Sequence, residues 1–132
     1  YSAEQEDGGN AQILTVFPNL VVQQIQVSLA VRQVVPRGVD RTHLVWTYFG
    51  YDDDTEALRA LRLKHANFVG PAGYISMEDG AVGGFVQRGI QACHNEASIV
   101  QMGGYGTETQ HFRTTEVSIR GFWKAYRQHT GL

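Results

Sequence analysis

The sequence predicts an α+β fold in which an antiparallel sheet is covered by C-terminal helices. Two observations carry this. Period-two alternation dominates the early part of the chain, and spacings of three and four dominate the later part. Strands first and helices after is the order of helices segregated to one face of an antiparallel sheet.

Residues 1–10 are polar and glycine-rich and read as a loop or frayed end. Ile13 to Phe17 is a short strand stopped by Pro18-Asn19. Next comes the cleanest alternation in the chain. Ile25, Val27, Leu29, Val31 and Val35 share one parity; Gln24, Gln26, Ser28, Ala30 and Arg32 take the other. This predicts one long strand with a buried face and a wetter face. Pro36-Arg37-Gly38 and Asp40 close it with turn chemistry, and Thr42 to Tyr51 is a second strand that pairs with it as a hairpin. Asp52-Asp53-Asp54 offers N-cap acids to a helix carrying Ala57, Leu58, Leu61, Ala66 and Phe68. Gly70-Pro71-Ala72-Gly73 breaks it. A second helix from about Ser76 repeats Val82, Phe85, Val86, Ile90 and Cys93 at helical spacing. Gly103-Gly104-Tyr105-Gly106 is a loop, and a last helix runs from about Thr114 to Thr130 with Gly131 as its stop.

The 132 residues suit one domain, with 42% hydrophobic and 18% charged residues and a net charge of −2. The eleven Lys and Arg residues are scattered, so no basic stripe for nucleic acid is present. The longest apolar stretch, residues 13–35, is interrupted by Pro18, Asn19, Gln23, Gln24, Gln26 and Arg32, which argues against a membrane span. A single cysteine excludes an internal disulfide or a Cys-rich cluster and suits a reducing cytoplasm. The opening Tyr1-Ser2-Ala3-Glu4 reads as the middle of a longer protein.

One stretch invites a chemical reading. After the Gly-Pro turn, Ser76-Met77-Glu78-Asp79 places two carboxylates at a helix start. Ser76 and Asp79 could form a variant capping box, favoured also by the helix dipole. Alternatively, one carboxylate turns inward as a metal ligand. Non-haem Fe(II) oxygenases use two histidines and one carboxylate with open positions left for O₂ and substrate. His43, His65, His94, His111 and His129 form no spaced pair, and read as surface or packing residues.

Four stretches together resemble the catalytic region of the large subunit of Rieske non-haem iron aromatic-ring-hydroxylating oxygenases. They are Thr15-Val16-Phe17-Pro18-Asn19, Val45-Trp46-Thr47-Tyr48, the Gly70–Gly73 turn with Glu78-Asp79, and Arg120-Gly121-Phe122-Trp123-Lys124-Ala125-Tyr126. The nearest flavour is the salicylate 5-hydroxylase, anthranilate and terephthalate dioxygenase group. The resemblance implies that residues 1–132 are the C-terminal part of a helix-grip catalytic domain. It implies Asp79 as the carboxylate ligand of a mononuclear Fe(II), and Gln23, Val69 and Ile75 as pocket lining. Gln23 is a polar amide where hydrocarbon-specific relatives place an apolar residue; the alternative for it is an exposed strand glutamine. The Rieske [2Fe-2S] motifs and the two histidine ligands are absent from this chain. The resemblance further implies an aromatic, carboxylated substrate, O₂, a ferredoxin or reductase donor, and a homotrimer or α3β3 assembly. The rival is a non-enzymatic ligand-binding module of helix-grip shape, in which Asp79 is only a capping acid.

Overall fold

The computed structural model describes residues 11–93, 96–97, 103–111 and 115–132. The N-terminal loop expectation, His94 and a helix start at Thr114 lie outside these residues. The chain divides into two compact units, Tyr1–His94 and Asn95–Leu132.

The first unit contains β1 (Ala11–Val16), β2 (Leu20–Ile25), β3 (Ser28–Pro36) and β4 (Thr42–Phe49), then α1 (Glu56–Val69) and α2 (Tyr74–Ala92). The strands form one antiparallel sheet in the order β1-β2-β3-β4. The α+β expectation is borne out. Helix α1 packs against β3 and against α2. At the β1–β2 turn the Phe17-Pro18 peptide is cis. There Asn19 is tied to β3 twice: its carbonyl accepts from Val34 N at 2.9 Å and its Nδ2 donates to Val34 O at 3.2 Å.

The single long strand expected over residues 24–35 is corrected. It is two strands joined by a two-residue turn at Gln26-Val27, with Ile25 opposite Ser28. The turn uses neither glycine nor asparagine, the residues that ordinarily mark such hairpins. Gln26 takes φ +51°, a left-handed conformation unusual for its type. Nothing in the residue types announces it.

The turn also reassigns the faces. Residues paired across a ladder share a face. Val21, Gln23 and Ile25 on β2 therefore lie with Arg32, Ala30 and Ser28 on β3, and with Leu44, Trp46 and Tyr48 on β4. Tyr48 Oη donates to Ala66 O of α1 at 3.3 Å, so this face turns toward the helices. Ser28 and Ala30 are buried here, whereas Leu29, Val31 and Val35 on the other face are only half-buried. The more polar parity is thus the covered one. Small residues are needed where α1 lies close to β3.

The helix boundaries follow from local chemistry. The N-cap of α1 is Thr55, whose Oγ1 accepts from Leu58 N at 3.2 Å, rather than an Asp of the 52–54 run. Asp54 is engaged elsewhere: Arg62 of α1 grips it through Nε at 2.7 Å and Nη2 at 3.0 Å, both side chains being nearly inaccessible to solvent. Gly70 and Gly73 frame the α1–α2 turn for reasons of space. A Cβ on Gly70 would overlap Tyr48 Oη and Ala66 O; one on Gly73 would overlap the carbonyl of Phe68. Helix α2 begins at Tyr74, earlier than expected, and ends at the C-cap Cys93.

In the second unit, α3 spans Val117–Thr130 and stops at Gly131, whose φ is +76°. Arg120 is 7% exposed and donates to Gly106 O at 2.7 Å and to Thr115 O. That anchors the preceding loop to the helix. Phe122, Trp123 and Tyr126 form a ring cluster on α3.

The Arg62 guanidinium, donating to Asp54, holds its carboxyl below the ordinary carboxylate value. A depressed folded-state value contributes stability above the unfolded value of about 3.9, and that contribution is lost as pH falls through the folded value. Asp54→Asn is therefore expected to lower the melting temperature at neutral pH and to flatten the loss of stability in acid. Thermal melts from neutral pH to about pH 3 check this.

Candidate functional site

The helix-facing side of the sheet carries an unusual polar strip. Gln23 is 3% exposed and Ser28 1% exposed. Gln23 Nε2, Ser28 Oγ and Arg32 Nε are buried without a hydrogen-bond partner among the described residues. Gln23 pairs with Ala30, so Ser28 and Arg32 are its two diagonal neighbours on one face. The alternative of an exposed strand glutamine is thereby removed.

Arg32 is the centre of this strip. Its guanidinium lies over the Trp46 ring, 4.8 Å from the centroid, and Trp46 stacks on Tyr48 with centroids 5.9 Å apart. Burial lowers the basicity of Arg32, while the Tyr48 phenol and the Asp79 carboxylate push it back up. Burial likewise raises the Tyr48 phenol, opposed by Arg32. Among the described residues Arg32 has no ion pair or hydrogen bond, only the ring and these longer-range fields. A partly desolvated cation stacked on indole and lacking a close anion is suited to receive one.

Asp79 lies on α2, within electrostatic reach of Arg32. Neither capping account of it survives. The N-cap of α2 is Gly73 and no side chain caps the helix. Ser76 lies inside the helix and donates its hydroxyl to Val69 O at 2.9 Å. With the helix beginning at Tyr74, Glu78 and Asp79 fall beyond the first turn, which holds no acid. Asp79 is exposed, and its carboxylate has no hydrogen bond or ion pair among the described residues.

The other expected lining residues divide. Val69 is 4% exposed, closing α1 beside the carbonyl that Ser76 holds. Ile75, one turn before Asp79 on the same helical face, is 46% exposed. A groove of about 600 Å³ runs beside this part of α2, lined in part by Arg41, Gly80, Gly83, Gly84 and Arg88. Arg32, Trp46 and Tyr48 were not singled out as site residues from sequence. The available signal was an arginine inside an alternating strand, opposite an aromatic-rich one.

The described residues contain no group of three or more His, Cys, Asp or Glu able to hold a metal. His43 accepts from Arg37 Nε at 3.3 Å on the face away from the helices, and His65 is half-buried on α1. An unengaged carboxylate fits one position of a two-histidine, one-carboxylate iron site, and the described residues bring no histidine pair to it. No helix among the described residues is long and apolar enough to cross a membrane.

Comparison with known proteins gives the family of the chain. The sequence model of the ring-hydroxylating alpha subunit (catalytic domain) matches residues 1–131. The chain belongs to this family. It is 57% identical over 128 residues to terephthalate 1,2-dioxygenase, terminal oxygenase component subunit alpha 2, of Comamonas sp, covering 97% of this chain and 31% of that protein. It is 44% identical to the anthranilate 1,2-dioxygenase large subunit of Burkholderia cepacia, covering 98% and 30%. The salicylate 5-hydroxylase large oxygenase component of Ralstonia sp is 35% identical, with 94% and 29% covered. The chain thus spans less than a third of the length of these ring-hydroxylating relatives.

A buried unpaired amide costs about 1–3 kcal/mol. Gln23→Leu is therefore expected to leave folding stability unchanged or to raise it by about 1 kcal/mol, read from urea melts. A clear loss of stability would mean that the amide has a partner and is not held for a ligand.

Proposed function

We propose that this chain is the C-terminal part of the catalytic domain of a terminal oxygenase that hydroxylates an aromatic ring acid with O₂. The observation carrying this reading is the Trp46-stacked guanidinium of Arg32, within electrostatic reach of the Asp79 carboxylate, neither having a hydrogen bond or ion pair among the described residues. Asp79 would be the one protein ligand this chain gives to a mononuclear Fe(II), whose bound form supplies O₂ activation. Two histidines from elsewhere in the subunit would complete the set. Electrons would come from a Rieske [2Fe-2S] cluster fed by a ferredoxin or reductase, within a homotrimer or α3β3 assembly.

The chain's own residues then divide the work. Arg32 takes the ring's carboxylate by a charge-assisted hydrogen bond, and Trp46 holds the guanidinium plane in place. Gln23 offers a buried N–H to an oxygen on the ring, while Val69 and Ile75 give apolar walls. These placed donors would orient the ring toward the metal. Terephthalate, anthranilate and salicylate, for which the relatives are named, all carry a carboxylate on an aromatic ring and serve as probes. The rival of a simple binding module rested on Asp79 as a capping acid. The N-cap at Gly73 and the position of Asp79 beyond the first turn remove that support.

Asp79→Ala in the complete subunit is expected to abolish mononuclear iron and turnover while sparing the Rieske spectrum; unchanged iron content would sink the ligand assignment. Arg32→Gln is expected to keep iron but to raise KM for the carboxylated probes about 10- to 100-fold, the worth of a hydrogen bond to a charged group. Steady-state kinetics with a neutral ring amide as control reads this out, since the control should respond far less.

A further inference from the structure

We infer that Arg62 is a positioning residue, whose grip on the β2–β3 turn sets the register that turns Gln23 toward the helix-facing site. This rests on the reading of Gln23 as part of that site.

Arg62 is 6% exposed and joins three segments of chain. It pairs bidentately with Asp54 in the loop before α1, donates Nη1 to Val27 O in the β2–β3 turn, and lies over the Tyr51 ring at 5.3 Å. Tyr51 N donates in turn to Asp54 at 2.9 Å, so the acid is oriented from two sides. Gly50 leaves room for the pair, because a Cβ there would come within 2.9 Å of Asp54 Oδ2. A buried ion pair adds little net stability over an apolar replacement, and the best-attested use of such pairs is to specify one arrangement.

The turn that Arg62 holds needs specifying. Gln26 sits at φ +51° without the glycine or asparagine that makes a two-residue turn favourable. Left to its own preferences, the segment would take a longer loop with a shifted pairing. A one-residue slip carries every β2 side chain to the opposite face. Gln23 would leave the helix-facing side, and Val22 or Gln24 would replace it. The bond from Arg62 to the Val27 carbonyl ties this turn to α1, and so fixes which β2 residues lie beside Arg32 and Ala30.

The test is a double-mutant cycle in the complete, iron-loaded subunit, combining Arg62→Met with Gln23→Leu and using the three ring acids as probes. Each single change is expected to raise KM roughly 2- to 10-fold with little change in kcat, the worth of one neutral hydrogen bond. Arg62→Met should add nothing further in the Gln23→Leu background, and Arg62→Lys should restore part of the loss. An Arg62 that merely stabilises would lower the melting temperature, leave KM alone, and overturn the inference. Thiol labelling reads the register without turnover. Gln23→Cys should be protected and Gln24→Cys reactive when Arg62 is present, with the contrast lost in Arg62→Met, as read by mass spectrometry of the labelled peptide. Unchanged protection would also overturn the inference. A Gln23→Leu variant with every KM unaltered would instead overturn the site reading, whatever the thiols report.

Discussion

The register of β2 against β3 is the constraint on which the site depends. Side chains alternate across a strand with period two, so one choice of pairing decides which half of β2 and β3 faces the helices. With Gln23 opposite Ala30 and Arg32 opposite Trp46, a polar strip lies on the side of the sheet against which α1 packs. An odd shift of β2 would place Val22 and Gln24 there in place of Gln23.

That arrangement runs against what burial alone favours. Leu14, Val22, Val45 and Phe49 remain at least 41% exposed on the outer face, while an amide, a hydroxyl and a guanidinium nitrogen are sealed within the inner one. Unsatisfied buried groups are rare in native proteins and ask for an explanation. The proposed recognition of an oxygen-bearing ring would supply one. The close approach of α1 to β4 is secured by shape, since Gly70 lets Ala66 O meet Tyr48 Oη.

Parts of this were legible in the residues. The β3–β4 hairpin could be read from an alternating run and an aromatic-rich run on either side of a Pro/Gly turn, and the helix stop at Gly131 from its left-handed preference. Asp79 stood out through the Gly-Pro-Ala-Gly turn that precedes it. The break at Gln26-Val27 could not be read, because neither residue has turn chemistry and both continue the alternation. The mistaken N-cap has a similar cause. Asp54 is as good a cap as Thr55 by type, and only the presence of Arg62 eight residues later diverts it. Arg32 was passed over because an arginine in a strand ordinarily faces water.

The sequence by itself determined the order of strands and helices, their punctuation, and the family motifs, since these follow from spacing and from the backbone preferences of glycine and proline. Only the tertiary structure decided which face of the sheet is covered and which polar groups are sealed there. That choice depends on pairing register and on contacts between residues far apart in sequence, such as Arg62 with Val27 and Tyr48 with Ala66. Local periodicity is the same whichever face turns inward, so no reading of residues in order can distinguish the two.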